Sequence, residues 1–294
     1  MAVPEIGIVK IVPDFFNYNL SISNTITLST LEVATGSNLY TMFDHNATTK
    51  TTITESDANL TGSTTDGTLT SNVISNISKK YMLVVDGHTL SSADGKLAIY
   101  DGSSATASVA IAGSDIFSSN FMNPNTDNQI CVIETTGYHN DVTGVAINDG
   151  GTWDTSSVDI GILHLGPIFE MPTTPSDISI NTNNFNKISN SVSGRSYSTL
   201  YNTNRQREIN MSWDYIKWDD GTESGISTLS DILKYTQGSH IPVVLQLSQD
   251  SVPKGTATQP TAIDWFMYAR ITKWEQSQIS PNAWSVSATF TEIV

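Results

Sequence analysis

One cysteine, Cys131, stands in the whole chain. Neither an intrachain disulfide framework nor a cysteine-based zinc site can therefore form. Cys131 lies in the apolar run Ile130–Ile133 and reads as a buried core thiol. Charge is scarce as well. Only 15% of the 294 residues are charged, and 29 acidic against 14 basic groups leave a net charge of −15. Phosphate binding needs clustered Lys and Arg, which argues against a nucleic-acid partner. No run of about 18 apolar residues occurs, so no helical membrane span is implied. The start, Met1–Ile6, lacks the basic segment and apolar core of a secretory signal. Catalytic signatures are missing too: there is no Walker loop, dinucleotide fingerprint, nucleophile elbow or His-Glu-x-x-His helix. The five histidines, at 45, 88, 139, 164 and 240, are isolated in sequence, and only the fold can bring them together. No enzyme activity, cofactor or metal is expected.

What is present is Ser, Thr and Asn, with β-branched apolar residues between them. That composition suits short strands joined by polar turns. Tyr81–Val85 gives five apolar residues in succession, a strand buried on both faces. Asp86–Gly87, Asp94–Gly95 and Asp101–Gly102 are regularly spaced turn signals, as in a β-sandwich. Lys96–Tyr100, Val109–Ile111, Ile130–Glu134, Gly144–Asn148 and Val158–Leu165 read as further strands. The total is about eight, the number in a jelly roll. Within Val158–Leu165 the apolar alternation changes face at Ile162–Leu163, which predicts a bulge or kink, and Gly166–Pro167 should stop the ladder.

Beyond Pro167 the pattern changes. Glu208–Tyr215 alternates as a strand. Leu229, Ile232, Leu233 and Thr236 recur at helical spacing, predicting a helix near 227–237 between Ser227 and Gly238. Pro242–Leu247 reads as a buried strand, and Trp265–Trp274 with Trp284–Phe290 as a hairpin around Ser280–Pro281–Asn282. The fold class is thus mostly β: an N-terminal jelly-roll sandwich, residues 1–166, then a second β-rich domain, 167–294, with one short helix. Charge divides similarly. Residues 1–164 hold 5 basic and 17 acidic groups (−12), and residues 165–294 hold 9 and 12 (−3). All four arginines fall in the second part, which marks it as the side that makes protein contacts.

Candidate functional residues are few. His88, at a turn after a buried strand, is either a ligand-contacting loop residue or a side chain that holds the turn. His164, between Leu163 and Leu165, reads as structural. Asp149, Asp154 and Asp159 surround a Gly-Gly turn and could hold Ca²⁺, but the calcium-loop spacing is absent, so a solvated acidic turn is favoured. Tyr138 and Trp153 are loop aromatics of the kind that stack on sugar rings, or that plug a core or seam. Arg195, Tyr197, Arg205, Arg207 and Trp213 are candidates for an assembly interface.

The segment Tyr81–Tyr100, with its Asp86-Gly-His-Thr-Leu90 turn, resembles part of a discoidin-type, galactose-binding-like jelly roll. Ile160-Gly-Ile-Leu-His-Leu-Gly-Pro-Ile-Phe-Glu-Met-Pro172 resembles the closing strand and exit of such a domain. Virion structural proteins of tailed bacteriophages have similar segments, with a Gly-Arg-aromatic turn, here Gly194–Tyr197, and an Arg-rich strand, here Arg205–Trp213. The resemblance implies a tail or baseplate component, distal-tail or fibre-adaptor-like. Such a protein would form a homo-oligomeric ring with other tail proteins and be made in the host cytoplasm before joining the virion. The alternative is a lectin-like adhesin that binds a host glycan; a polysaccharide depolymerase is the less favoured third reading.

Overall fold

The structure, a computed structural model, describes residues 7–55, 67–72, 78–90, 96–100, 130–135, 138–140, 142–148, 156–190, 196–217, 226–247 and 266–293. From the N-terminus come β1 (Lys10–Pro13), α1 (Phe15–Ser21), β2 (Thr27–Ser29), β3 (Leu31–Val33) and a 3-10 turn at Leu39–Phe43. Then follow β4 (Thr51–Glu55), β5 (Gly67–Thr70), β6 (Tyr81–Asp86), β7 (Lys96–Tyr100), β8 (Cys131–Glu134) and β9 (Gly144–Asn148). β10 (Val158–Ile160), β11 (Ile162–Pro167) and β12 (Phe169–Glu170) lead to β13 (Asp177–Asn190) and β14 (Ser196–Lys217). The chain closes with α2 (Ile226–Thr236), β15 (Val243–Gln246), β16 (Phe266–Ser280) and β17 (Ala283–Glu292). The protein is mostly β, as its composition anticipates. The predicted strand at Val109–Ile111 lies outside the described residues.

Strands β2 to β11 build a sandwich. One layer is the four-stranded sheet β2-β5-β9-β7; opposite it are β10-β4-β3 and β11-β6-β8. Leu69, Leu97, Ile99, Val145 and Ile147 from the first layer share one buried cluster with Ile53, Leu83, Val85, Ile133 and Leu163 from the second. Successive side chains of a strand point to opposite faces, and β6 uses both. Its Met82 and Val84 turn away from the sandwich into a second cluster with Val12, Val132, Ile168, Val244 and Phe266. The five apolar residues in a row are thereby explained: one face seals the sandwich, the other seals it against the rest of the chain.

The remaining strands form a seven-stranded sheet in the order β12-β1-β15-β16-β17-β14-β13. Here the sequence-based partition needs correction. Strand β1 belongs to this sheet, pairing antiparallel with β12 (Ile11↔Phe169) and with β15 (Lys10↔Gln246, Pro13↔Val243). All four of its residues are buried, which requires neighbours on both edges and both faces. Residues 10–13 therefore sit apart from the sandwich that the sequence order assigns them to. The sandwich is an excursion between two adjacent strands of the larger sheet. Helix α2 lies against β1 and β12; of the positions its spacing marks it buries Leu229, Ile232 and Thr236, with Tyr235 in place of the half-buried Leu233. It ends where Gly238, at φ +69°, donates its backbone N–H to Leu233, the left-handed stop that glycine supplies without strain.

The predicted kink near Ile162 is a break at Gly161. β10 pairs with β4, and β11, one residue later, pairs with β6. A Cβ at Gly161 would lie 2.8 Å from the Ala47 carbonyl oxygen, so only glycine lets the strand change sheets there. The ladder does not stop at Gly166–Pro167 as expected. It runs through both, because β11 is an edge strand of its sheet and Pro167, opposite Tyr81, has no ladder donor to lose.

Candidate functional site

Three ligating side chains from distant parts of the sequence converge where β1, the 3-10 turn and β11 meet. Asp14 follows β1 and caps α1: its Oδ1 accepts from the backbone N–H groups of Phe16 (2.9 Å) and Asn17 (3.1 Å). This is the usual N-cap arrangement, and it leaves Oδ2 facing inward. His45 follows the 3-10 turn at φ +60°, a left-handed conformation uncommon for a residue with a Cβ. Its Nδ1 donates to the Phe43 carbonyl at 3.0 Å. His164 is central in β11, and its Nε2 donates to the Val12 carbonyl at 2.9 Å. These two bonds set the tautomers. His45 Nε2 and His164 Nδ1, both then bare lone pairs, face each other at 3.1 Å. Asp14 Oδ2 lies 3.2 Å from the first and 3.6 Å from the second.

The three side chains are at most 1% exposed. Their spacing would suit an ion pair, but loss of hydration outweighs the attraction. Burial pushes Asp14 up to about 7 despite its hydrogen bonds from Asn17 and Phe16. Burial pulls His45 down to about 4. His164 is held well below its ordinary value, first by burial and then by its neighbour His45. Around this centre stand orienting groups. Asn17 Nδ2 donates to Asp14 Oδ2 and to the Phe43 carbonyl, each at 2.9 Å. Tyr268 of β16 packs edge-on against His45, ring centroids 5.5 Å apart; its hydroxyl is buried and makes no hydrogen bond among the described residues.

Sequence reasoning missed this centre. It treated His164 as structural and did not single out Asp14 or His45. Positions 14, 45 and 164 share no motif. The only local signal is an Asp directly after a strand and before Phe-Phe, which is the signature of a helix cap.

A second feature is a surface groove of about 220 Å³ whose lining includes Lys79, Lys80, Tyr138, Glu170 and Met171. Tyr138 is 54% exposed, and the Lys80 ammonium sits 5.7 Å from its ring centre. Of the other predicted residues, His88 is fully buried, and its Nδ1 accepts from the Leu90 N–H. It has no surface to offer a ligand. Asp159 accepts from the Thr52 hydroxyl at 2.8 Å. Trp153, Asp149, Asp154 and Arg195 lie outside the described residues. Tyr197 and Arg205 lie on β14, whose paired partners there are Ser189 and Asn184. Arg207 is committed within the chain: its guanidinium and backbone N–H both bind the Glu292 carboxylate. Trp213 corrects the expectation more sharply. It is 1% exposed and donates from Nε1 to the Thr173 carbonyl, so it is a core residue, with no face left for a partner. No family model matches the chain, and a search of curated proteins finds no match.

Proposed function

We propose that the protein is a self-assembling structural component of a tailed-bacteriophage tail tip or baseplate, displaying a jelly-roll-like sandwich. The observation that carries the assembly reading is the β13–β14 hairpin. β13 is an outer strand of the seven-stranded sheet and runs for 14 residues. A long open edge of unpaired backbone groups is a template for another strand, and proteins that remain single blunt such edges. Beyond Asn183 and Gln206 the two strands pair, among the described residues, only with each other, after an irregularity between Asn184 and Asn186. The hairpin thus extends past the sheet as a two-stranded arm. Ile180, Tyr215 and Ile279, on β13, β14 and β16, are 41%, 52% and 54% exposed; all three lie on the seven-stranded sheet. The phage assignment rests on the sequence resemblance.

Light scattering and negative-stain imaging of the purified chain test the reading. A closed ring is expected, and replacing residues 184–205 by Asn-Gly, which rejoins the paired Asn183 and Gln206, should leave a folded monomer. A wild-type chain that stays monomeric and binds no other tail protein would overturn it.

The groove beside Tyr138 favours a second reading, binding of a cell-surface glycan. An exposed ring flanked by Lys79, Lys80 and Glu170 offers a stacking face together with hydrogen-bonding groups, as sugar sites require. Glycan-array binding that disappears in Tyr138→Ala is the expected result, and a blank array with the wild type sinks it.

A further inference from the structure

We infer that Asp14, His45 and His164 form a structural zinc site that pins the start of the chain to the closing strand of the sandwich. The geometry rests on three observations. The first is the direction of the lone pairs. Each imidazole spends its N–H on a backbone carbonyl, His45 on Phe43 and His164 on Val12. The remaining nitrogens and Asp14 Oδ2 are acceptors that point at one another. One proton placed among them satisfies a single contact, and leaves another acceptor pair opposed at 3.1 to 3.6 Å. Asp14 Oδ2 takes one bond from Asn17, but ring nitrogens buried without a donor are costly. A cation between them satisfies all three.

The second observation is the size of the triangle. Zinc bonds to imidazole nitrogen and carboxylate oxygen at about 2.0–2.1 Å in a tetrahedron, which sets ligand-to-ligand edges of roughly 3.3 Å. The edges here are 3.1, 3.2 and 3.6 Å. Neighbouring ligands of a six-coordinate ion at similar bond lengths would lie closer, at about 3.0 Å. Two imidazoles and a carboxylate are also a donor set suited to zinc.

The third is the supporting shell. Ligating histidines characteristically donate their second N–H to a carbonyl or carboxylate, and ligating carboxylates are themselves hydrogen-bonded. Both histidines here do so, and Asn17 holds Asp14 Oδ2 while also binding the carbonyl that orients His45. The left-handed backbone at His45 is the strained feature that turns its ring inward. Strain of this kind persists where the surroundings over-determine it, commonly at ligand sites. The centre is closed to solvent, so it can hold an ion but admits no substrate. A water would complete the tetrahedron.

Metal analysis of the full-length chain after zinc incubation and dialysis tests the site. The expected result is one zinc per chain, a melting temperature lowered by EDTA and restored by zinc, and tetrahedral d–d bands on loading with Co²⁺. Asp14→Asn keeps a helix cap and brings an amide donor to the two lone pairs, so it should stay folded while losing stoichiometric zinc. Asn17→Ala should weaken zinc binding roughly 10–100-fold. The assignment is overturned if the folded wild type takes up no zinc, or if Asp14→Asn binds as much zinc as the wild type.

Discussion

At the scale of single residues, a buried ion pair and a buried thiol outside the zinc centre make testable claims. Lys10 of β1 and Glu134 of β8 meet at 2.7 Å with side chains only 3% and 6% exposed. They join the large sheet to the sandwich. Removing one partner strands a buried charge, which costs about 3–5 kcal/mol, whereas replacing both with apolar residues of similar volume is often neutral. Glu134→Gln should therefore lower the urea midpoint markedly, and Lys10→Met with Glu134→Leu should recover most of it. Cys131 makes the opposite kind of claim. Burial pushes its thiol up from 9.0 to about 12, so it stays protonated and inert in the folded chain near neutral pH. A folded-state value above the unfolded one contributes stability that is intact below about pH 9 and fades as pH rises toward 12. Thiol labelling at pH 8 should be negligible until denaturant is added, and alkaline stability should begin to fall above about pH 9.

At the scale of elements, Gly166 is one of the two tightest joints described, with Gly144. A Cβ at Gly166 would lie 1.9 Å from the Pro13 carbonyl oxygen and 2.9 Å from Val12 Cγ1. β11 can approach β1 only because that atom is missing. Gly166→Ala must separate the strands, at a cost of about 1–3 kcal/mol or more, measurable by chemical denaturation. It should also weaken zinc binding, since His164 is two residues away on the same strand. Most elements were legible in the sequence because a local pattern determines them. Lys96–Tyr100 and Gly144–Asn148 form as read, α2 starts within a residue of its expected place, and the last hairpin turns at Pro281–Asn282. Helix α1 was not legible. Seven residues are too few for a periodic signal, and it exists because Asp14 caps it and the core takes Phe15 and Phe16. The sheet that β1 joins was not legible either, since pairing partners far along the chain leave no local mark. The zinc centre was hidden for the same reason: its three residues become neighbours only through that pairing and the break at Gly161.

At the scale of the whole molecule, the described core does not divide where the charge does. Ile11, Phe169 and Phe290 of the large sheet fall in the same buried cluster as Leu97 and Ile147 of the far sandwich layer. A second cluster, with Met82 and Val84 of β6 against Val12 and Val244, seals the contact between them. Two modules sharing one interior should lose it together. Calorimetry is expected to give one transition whose van't Hoff and calorimetric enthalpies agree; two resolved transitions would show that the sandwich folds by itself. The junction at Gly166–Pro167 is accordingly a packed crossing, with β11 against β1 on one side and Ile168 bound to Lys80 on the other.

The position of β1 also sets a clock. It leaves the ribosome well before its partners, β12 and, later still, β15. At about 5–20 residues per second, Lys10 waits on the order of ten seconds or more before Gln246 has been made. Every strand of the sandwich is complete before then. This early strand is thus among the last to be placed, and the centre at Asp14, His45 and His164 closes only as it settles. A metal bound there would reward the chain for finishing a long-range pairing that nothing local prepares.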